Sequence, residues 1–467
     1  MSTVMGVRSN RGRLAVIGGG VIGLSTAWRA AARGLDVTVI DPRPGSGSSW
    51  VAGGMLAPVS EAWPGEDALL ELGAASLRAW PDFAAELAAS SGREPGLRTE
   101  GTVVVAADRA DQTDLDRLAA YLAHLGREVD RLDGREMRRL EPALGPAVRA
   151  GLSVPGDLAV DNRMLLTALR AACDRGGVRF LAREAVSAAS RPEDGAASHP
   201  VDRAASRPED GAASHPVDRE ASRPAGRAAS HPEDRAASRP GDGAPSRPAG
   251  DPGAASAGGR VWLTGPDGAE PLDFDHVVIA AGPWSTGLHE RLRGALHPVK
   301  GEVLRLRARP GTLPPPRRTV RGRVRGRPVY LVPRDEDGLV VGATQYEAGF
   351  DTAVTAGSVR DLLRDAEVLL PAIAEYELLE CAAGLRPATA DNLPLIGELA
   401  PGLLVAAGHH RNGFLLAPIT ADAVVDALLG LPTASVLSAA DPARLRSASS
   451  PGEPTIAASH ADLEESD

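Results

Sequence analysis

Apolar runs and helical patterns alternate at the start of the chain. Residues 13–17 predict a buried strand, residues 24–33 have the alanine-rich pattern of a helix, and residues 37–40 predict a second buried strand. A strand, a helix and a strand in this order form a βαβ unit, the building block of a doubly wound parallel sheet. The N-terminal region therefore predicts an α/β fold.

Helical and strand-like segments continue over the rest of the chain. Helices are predicted at residues 67–90, 111–125, 161–175 and 358–370. Strands are predicted at residues 101–106, 178–186, 260–264, 276–281, 302–306, 328–333 and 339–343. Residues 403–407 and 414–429 are predicted to close the fold as a strand followed by a helix.

A low-complexity segment interrupts this pattern at residues 188–259. It consists almost only of Ala, Ser, Arg, Pro, Asp, Glu, Gly and His, and the sixteen residues that begin at Ala188 recur unchanged from Ala204. Because the repeat has no apolar face, burial cannot offset the entropy lost on ordering. The segment predicts a long disordered insert that splits a hairpin, and residues 433–467 predict a disordered tail.

Bulk properties exclude several classes of protein. A chain of 467 residues is long enough for two domains, and its net charge of −10 argues against a general nucleic-acid binder. Cys173 and Cys381, the two cysteines, have no paired spacing, which excludes a disulfide framework and a cysteine-rich metal site. No signal peptide or transmembrane helix is predicted, so we expect a cytoplasmic protein without membrane attachment.

Gly18, Gly20 and Gly23 form the pattern Gly-x-Gly-x-x-Gly between the first strand and the first helix. The first glycine permits a tight turn, the second lets a pyrophosphate approach the backbone, and the third allows close packing of helix on strand. Asp41 ends the second strand, 23 residues after Gly18, where a carboxylate accepts hydrogen bonds from a ribose and disfavours a 2′-phosphate. The context predicts a dinucleotide site that is not for NADP, and leaves nicotinamide and flavin open.

Further motifs are SSWVAGGMLA at residues 48–57, PVKGE at 298–302, YLVPR at 330–334, GLRP at 384–387 and AGHHRNGFLLAP at 407–418. With the N-terminal unit they span most of the chain outside the insert. This set resembles the FAD-dependent D-amino-acid oxidase and glycine oxidase family, and the likeness is nearest to the glycine oxidases of the thiamine pathway. The segment 407–418 is the most specific of the matches.

The resemblance implies FAD as the cofactor and places its pyrophosphate over Val21 and Ile22, its ribose on Asp41 and its adenine on Val186. It implies further FAD contacts at Ser48, Ser49, Gly53, Gly54 and Met55, and a flavin ring that rests on His409, His410, Arg411, Asn412, Gly413, Phe414 and Leu415. The two adjacent histidines have no third ligand at a suitable spacing, so no metal is predicted.

Three residues are implied to bind the substrate. Arg386 matches the family arginine that holds the substrate carboxylate, a task suited to a planar guanidinium. Tyr330 matches a tyrosine whose hydroxyl contacts the same carboxylate, and Arg411 matches a residue near the substrate. The residues alone leave alternatives open: Arg386 as a surface arginine, Tyr330 as a core side chain, and Arg411 as a contact of the flavin or of a neighbouring loop. No residue is implied to act as a catalytic acid or base.

Two positions are left open. Lys300, the only lysine in the chain, has two candidate roles. It either supplies positive charge for oxygen reduction near the flavin or pairs with an acid on the sheet. Gln345 stands where the family pattern Ala-Thr-Met has methionine, which leaves the polarity of the pocket undecided.

The family resemblance also implies a domain organisation. We assign residues 1–90, 151–187, 260–290 and 380–432 to an FAD-binding, Rossmann-like domain. We assign residues 91–150 and 291–379 to a substrate domain built on an antiparallel sheet.

The implied activity is the oxidative deamination of glycine, sarcosine or short D-amino acids by oxygen, which gives an imine or glyoxylate, ammonia and hydrogen peroxide. Its product would supply thiamine thiazole synthesis, with enzymes of that pathway and other copies of the chain as partners. Three rivals remain: an FAD-dependent D-amino-acid dehydrogenase that reduces a quinone, a nicotinamide dehydrogenase, and a non-catalytic interaction protein that keeps the FAD fold and uses the repeat insert.

Overall fold

The computed structural model describes residues 12–127, 129–191, 258–265 and 268–445. Within these ranges the helices are α1 (Val21–Ala32), α2 (Ser48–Val51), α3 (Asp67–Ser91), α4 (Arg109–His124), α5 (Gly134–Leu140), α6 (Asn162–Arg175), α7 (Ala356–Leu369) and α8 (Ala417–Leu428). The strands are β1 (Arg13–Ile17), β2 (Asp36–Ile40), β3 (Met55–Leu56), β4 (Leu97–Arg98), β5 (Thr102–Ala106), β6 (Asp130–Asp133), β7 (Ala150–Val154), β8 (Leu158–Val160), β9 (Arg179–Leu181), β10 (Ala185–Ser190), β11 (Gly259–Gly265), β12 (Gly268–Phe274), β13 (His276–Ile279), β14 (His297–Arg307), β15 (Thr319–Val324), β16 (Arg327–Pro333), β17 (Gly338–Gly342), β18 (Glu377–Ala388), β19 (Leu395–Ala400) and β20 (Leu403–Ala407).

A six-stranded sheet has the order β19–β20–β13–β1–β2–β9 and is parallel except for β19. The predicted βαβ unit at its centre is confirmed as β1, α1 and β2. Alternate residues of β1 face opposite sides. Leu14 and Val16 pack against the apolar core that α1, α3, α6 and α8 share, whereas Ala15 and Ile17 pack toward the small sheet β10–β11–β12. The apolar runs that the sequence shows are therefore strands buried on both faces.

An eight-stranded sheet has the order β18–β14–β17–β16–β15–β5–β7–β6, and β15 and β5 are its only parallel neighbours among these described strands. Apolar residues of α5 and α7 cover one face of this sheet. Two short strands, β3 and β4, pair with β8 in a separate sheet. The predicted combination of a doubly wound sheet with a largely antiparallel sheet is confirmed.

Several predicted boundaries differ from the structure. Residues 151–154 and 380–388, which the sequence assigned to the FAD-binding domain, belong to β7 and β18 of the eight-stranded sheet. The predicted strand at residues 178–186 is divided, because β9 pairs with β2 while β10 pairs with β11 in another sheet. Strand partners depend on registers between residues far apart in the chain, which a local pattern does not contain.

The insert interrupts a hairpin, as predicted, but it is shorter than residues 188–259. Strands β10 and β11 are antiparallel from Ala185 opposite Leu263 to Ser190 opposite Gly259, and the Arg191 N–H donates to the Gly258 carbonyl at 2.6 Å. Backbone pairing and the burial of Ala188 thus extend order into the compositionally biased segment. Residues 192–257 lie outside the described residues.

The first residues of the predicted disordered tail, 433–445, are part of the described structure. Residues Ser435–Ala440 and Pro442–Arg444 form short 3-10 helices. Leu437 and Ala440 are buried in the helical core, and apolar burial offsets the cost of ordering this stretch. Residues 446–467 lie outside the described residues. In the described ranges, no helix is both long and apolar enough to span a membrane.

Candidate active site

A cleft of about 1710 Å³ is lined by residues of both large sheets. It begins at the carboxyl ends of β1 and β2, where open α/β sheets bind their ligands. The predicted site residues that line it are Gly18, Gly20, Val21, Ile22, Asp41, Ser48, Ser49, Gly53, Gly54, Met55, Val186, Tyr330, Arg386, His409, His410, Arg411, Gly413 and Phe414. Gly23, Asn412 and Leu415 are not among the lining residues. The predicted cofactor and substrate residues therefore share one cavity.

Two glycines of the pattern between β1 and α1, Gly18 and Gly23, have no room for side chains. Gly18 has a φ of 108°, and a Cβ atom there would lie 2.3 Å from the Ala280 carbonyl oxygen. A Cβ atom on Gly23 would lie 1.9 Å from the Gly18 carbonyl oxygen. Gly23 therefore acts behind the cleft by allowing α1 to pack against the turn, as the glycine pattern predicts.

Asp41 and Ser49 accept hydrogen bonds from the backbone of this turn and of the start of α1. The Gly19 N–H donates to Asp41 Oδ2 at 2.6 Å, and the Arg43 N–H donates to Asp41 Oδ1 at 2.7 Å. The Val21 N–H, in the first turn of α1, donates to Ser49 Oγ at 3.0 Å. A fixed carboxylate at the end of β2 and backbone N–H groups at the start of α1 are the features that a ribose and a pyrophosphate require.

A buried arginine that the sequence did not single out, Arg334, holds the Gly53–Gly54 turn at the cleft. Gly54 has a φ of 72°, and a Cβ atom there would lie 2.1 Å from the Val160 carbonyl oxygen. Arg334 Nη2 donates to the Gly53 carbonyl at 2.7 Å, and Arg334 Nε lies 3.1 Å from Asp161 Oδ2. Burial lowers the pKa of Arg334 to about 10. Arg334 lies in the YLVPR motif, but only the fold shows which backbone it holds.

Side chains from helices α3 and α8 hold the loop after β20 in place. Ser76 Oγ and Trp80 Nε1 donate to the Leu415 carbonyl at 2.6 and 3.0 Å. The His409 ring nitrogen Nε2 lies 3.0 Å from Thr420 Oγ1, and burial lowers the pKa of His409 to about 3, so its imidazole is neutral. Among the described residues, no group of three His, Cys, Asp or Glu side chains is placed to hold a metal ion.

Val186 reaches the cleft because β10 is irregular. Ala185 pairs with Leu263 and Ser187 pairs with Trp262, so Val186 is an extra residue in the ladder. Such a bulge re-aims a side chain. Val186 is 42% exposed and lines the cleft.

The opposite wall of the cleft is one face of the eight-stranded sheet. Tyr330 on β16 lies between Arg321 on β15 and Gly342 on β17 in the strand register. A Cβ atom on Gly342 would lie 2.3 Å from the Tyr330 hydroxyl, and one on Gly53 would lie 3.0 Å from it. The Tyr330 ring thus fits because two glycines face it. Burial raises the pKa of Tyr330, so its hydroxyl stays protonated.

Arg386 lies on the same wall. It is opposite Val299 on β14, and its guanidinium crosses the neighbouring Gly301, where a Cβ atom would be 2.4 Å from the guanidinium nitrogens. Arg386 Nη1 donates to the Thr344 carbonyl at 3.2 Å and to the Lys300 carbonyl at 3.5 Å. Burial lowers the pKa of Arg386, but a guanidinium remains charged at neutral pH. It is a largely buried cation in the cleft, not a surface arginine.

Arg411 is held by two acids. Its Nε lies 3.2 Å from Glu61 Oε2, and its Nη2 lies 3.2 Å from Glu66 Oε2. Glu61 Oε1 also pairs with Arg321 Nη1 at 2.9 Å. Glu61, Arg321 and Arg411 all line the cleft. The sequence did not single out Glu61 or Arg321, and the strand register of Arg321 beside Tyr330 is the feature that links them to the site.

Lys300 lies on the other face of β14. Since side chains alternate along a strand, it points away from the face that carries Gly301 and Val303. Its Nζ lies 2.5 Å from Asp351 Oδ2 and 3.8 Å from Glu302 Oε1, and the side chain is 1% exposed. Of its two candidate roles, Lys300 therefore has the pairing with an acid. It is not a lining residue of the cleft. Gln345 does line the cleft, which adds a polar group to it.

The cleft fits FAD. Its floor has the glycine turn that side chains would block, the Asp41 carboxylate and the start of α1, while its far wall carries Tyr330 and Arg386. Its volume of about 1710 Å³ is larger than an ordinary small-molecule pocket and leaves space for a dinucleotide and a substrate together.

Comparisons with known proteins agree with this geometry. The family model described as FAD dependent oxidoreductase (DAO) matches residues 13–211 and 253–427. A glycine oxidase of Geobacillus kaustophilus is 30% identical over 425 residues, which cover 90% of this chain and 93% of that protein. A bifunctional ThiO/ThiG protein of Synechocystis is 28% identical and matches 93% of this chain but 54% of its own length. The crystal structure of the Geobacillus glycine oxidase aligns with a TM-score of 0.71 at 28% identity, covering 93% of this chain and 99% of that one.

The family model covers well over half of the chain, and the full-length relatives extend over both large sheets. The chain therefore belongs to the DAO family of FAD-dependent oxidoreductases.

Proposed function

We propose that this enzyme oxidises small amino acids, with glycine, sarcosine and D-alanine as its substrates and oxygen as its electron acceptor. The products are hydrogen peroxide and the imine, which hydrolyses to the oxo acid and ammonia, or to glyoxylate and methylamine in the case of sarcosine. The observation that carries the proposal is the pairing of a buried guanidinium, Arg386, with the protonated hydroxyl of Tyr330 on the wall of the cofactor cleft.

FAD, when bound, supplies the two-electron oxidation. The chain supplies the binding. Arg386 and Tyr330 hold the substrate carboxylate through charge-assisted hydrogen bonds, which fixes the orientation of the α-carbon. The amine reacts in its neutral form, so no side chain is required to act as an acid or base. Arg411, whose charge is shared with Glu61 and Glu66, contributes to the same pocket from the loop after β20.

The relatives support a place in thiamine thiazole synthesis. One of them is a bifunctional ThiO/ThiG protein in which the matching part forms about half of the chain. We propose that the imine formed here is the compound that a thiazole synthase consumes, and that the enzyme assembles as a homo-oligomer. Glycine is the substrate that the proposed role in thiazole synthesis requires.

The decisive experiment records the visible spectrum of the purified protein and then its hydrogen peroxide release on glycine, sarcosine and D-alanine. We expect a yellow protein that forms peroxide with all three. A yellow protein that reduces an artificial acceptor but forms no peroxide would instead identify a dehydrogenase, and a colourless protein that stays inactive with added FAD would contradict both.

Substitution of Arg386 by lysine tests the carboxylate site. Lysine keeps the charge but loses the planar pair of donors, so we expect kcat/KM for glycine to fall by about 100-fold while the flavin spectrum is retained. Arg170→Lys is the matched control, because Arg170 lies on α6 and pairs with Asp174. Equal activities of the two variants would refute the role of Arg386.

A further inference from the structure

The arginines that line the cleft in the described structure are Arg43, Arg117, Arg321, Arg323, Arg325, Arg386 and Arg411. Two of them, Arg321 and Arg411, contact the same carboxylate, that of Glu61. Arg321 and Tyr330 are direct neighbours in the strand register, so Arg321 lies on the wall that carries the carboxylate site. Arg411 reaches the cleft from the loop after β20. The proposed function uses Arg386 for the α-carboxylate and gives no role to the contact of Arg321 and Arg411 with one shared carboxylate.

Glu61 lies between these two additional arginines. Its Oε1 is 2.9 Å from Arg321 Nη1, its Oε2 is 3.2 Å from Arg411 Nε, and its side chain is 9% exposed. The Glu61 carboxylate therefore forms an ion pair with each of the two guanidiniums. Glu61 is thus an internal occupant of a two-arginine carboxylate site.

The backbone around Glu61 is fixed. The buried carboxylate of Asp157 accepts the Ser60 N–H at 2.8 Å and the Val59 N–H at 3.1 Å, which holds the two residues before Glu61. Glu66 supports the other side of Arg411 at 3.2 Å. Because both ends of the bridge are held, Glu61 does not leave the cleft readily when a ligand enters.

Glu61 is already in contact with both Arg321 and Arg411, whereas no acidic side chain forms an ion pair with Arg386 among the described residues. Arg386 is therefore the guanidinium that the proposed function assigns to the substrate carboxylate. A second carboxylate on the substrate would need the position beside Arg321 and Arg411 that Glu61 occupies. The two like charges would then repel each other strongly, because water is largely excluded there.

We propose that Glu61 determines substrate specificity by occupying the Arg321–Arg411 pair, so that the enzyme accepts amino acids with one carboxylate and rejects those with two, such as D-aspartate and D-glutamate. This inference rests on the proposed function, because it assumes that an amino acid binds through Arg386. Removal of Glu61 frees the arginine pair for a substrate side-chain carboxylate.

The test compares the protein with Glu61→Ala and Glu61→Gln, using D-alanine and D-aspartate as substrates. We expect the ratio of kcat/KM for D-aspartate to that for D-alanine to rise by about 10-fold or more in both variants, mainly through KM for D-aspartate. The rise should be larger in Glu61→Ala, which also provides space. An unchanged ratio in variants that still oxidise D-alanine would overturn the proposal.

The double variant Glu61→Ala, Arg321→Ala provides the control. If the arginine pair binds the second carboxylate, removal of Arg321 reverses most of the gain, whereas a general widening of the cleft would leave the gain intact. A gain that persists in the double variant contradicts the assignment.

A binding measurement on the unaltered protein keeps the proposal falsifiable if the variants do not fold. Propionate and succinate are titrated against the FAD-loaded protein and followed by calorimetry. We expect succinate to bind about 10-fold or more weakly than propionate, and equal or tighter binding of succinate would refute the role of Glu61. If the carboxylates bind with this preference but no amino acid is oxidised, the proposed function fails and the Glu61 site stands.

Discussion

At the scale of single residues, glycines opposite large polar side chains shape the substrate wall. Tyr330 lies against Gly342, and Arg386 lies across Gly301, so that each side chain spreads over a neighbouring strand. The motifs predicted Tyr330 and Arg386 as substrate residues, and the structure brings both to one cavity. The glycines that make room for them were not predicted, because their importance depends on cross-strand register.

The fit of Tyr330 is tested by Gly342→Ala. The added Cβ atom would lie 2.3 Å from the tyrosine hydroxyl, so the ring has to move and its hydroxyl loses its place beside Arg386. We expect KM for glycine to rise by about 10-fold, close to the effect of Tyr330→Phe. Steady-state kinetics of both variants check this, and a Gly342→Ala enzyme with an unaltered KM would show that Tyr330 does not bind the substrate.

At the scale of elements, the cofactor end of the cleft is built from turns rather than from regular segments. The turn before α1, the Gly53–Gly54 turn and the loop after β20 are each fastened by side chains from other elements. The fastening residues are Asp41, Ser49, Arg334, Ser76 and Trp80. Motif spacing identified the turns, but most of the side chains that hydrogen-bond to them come from distant parts of the chain.

Gly20→Ala tests the turn before α1. A Cβ atom there would lie 3.1 Å from Ser49 Oγ, which the fold can tolerate, but it would obstruct the close approach of a pyrophosphate. We expect a folded protein whose affinity for FAD falls by about 10-fold or more, measured by titration of the apoprotein. Gly357→Ala, where no atom lies within 4 Å of the added Cβ atom, is the matched control and should keep its FAD.

Asp157, at the end of the β7–β8 turn, makes stability depend on pH. Burial raises the pKa of Asp157 to about 6 from its ordinary 3.8, although the Ser60 and Val59 N–H groups oppose this. The folded state therefore binds the proton more tightly, and this group's contribution to stability is lost as the pH rises from about 4 to about 6.

Asp157→Asn removes that titration. Relative to the unaltered protein, the variant should gain up to about 3 kcal/mol between pH 4 and pH 7, because each pKa unit corresponds to about 1.4 kcal/mol. Denaturant unfolding at the two pH values measures the difference. A constant difference between the two proteins would show that folding does not raise the pKa of Asp157.

At the scale of the whole molecule, the cleft exists because the carboxyl ends of a parallel sheet and one face of a largely antiparallel sheet line the same cavity. The insert interrupts the hairpin of β10 and β11. The ends of that hairpin are adjacent, with Arg191 hydrogen-bonded to Gly258 at 2.6 Å.

Replacement of residues 192–257 by an Asn-Gly turn should therefore preserve the enzyme. A two-residue turn closes an antiparallel pair directly and reduces the entropy cost of loop closure. We expect kcat and KM for glycine within about twofold of the full chain and an equal or higher melting temperature. Loss of turnover would give the insert a catalytic role, and loss of a binding partner with intact turnover would support an interaction role.

The sequence by itself determined the βαβ unit, the glycine turn with Asp41, the FAD family and the presence of an insert. These features are local: they depend on periodicity and on residue spacing within a few turns of chain. The tertiary structure decided the partners of β7, β9 and β18, the ion pair of Lys300 and the position of Glu61 between Arg321 and Arg411. Each of these joins residues that are far apart in the chain, and strand register and burial, which no local pattern records, bring them together.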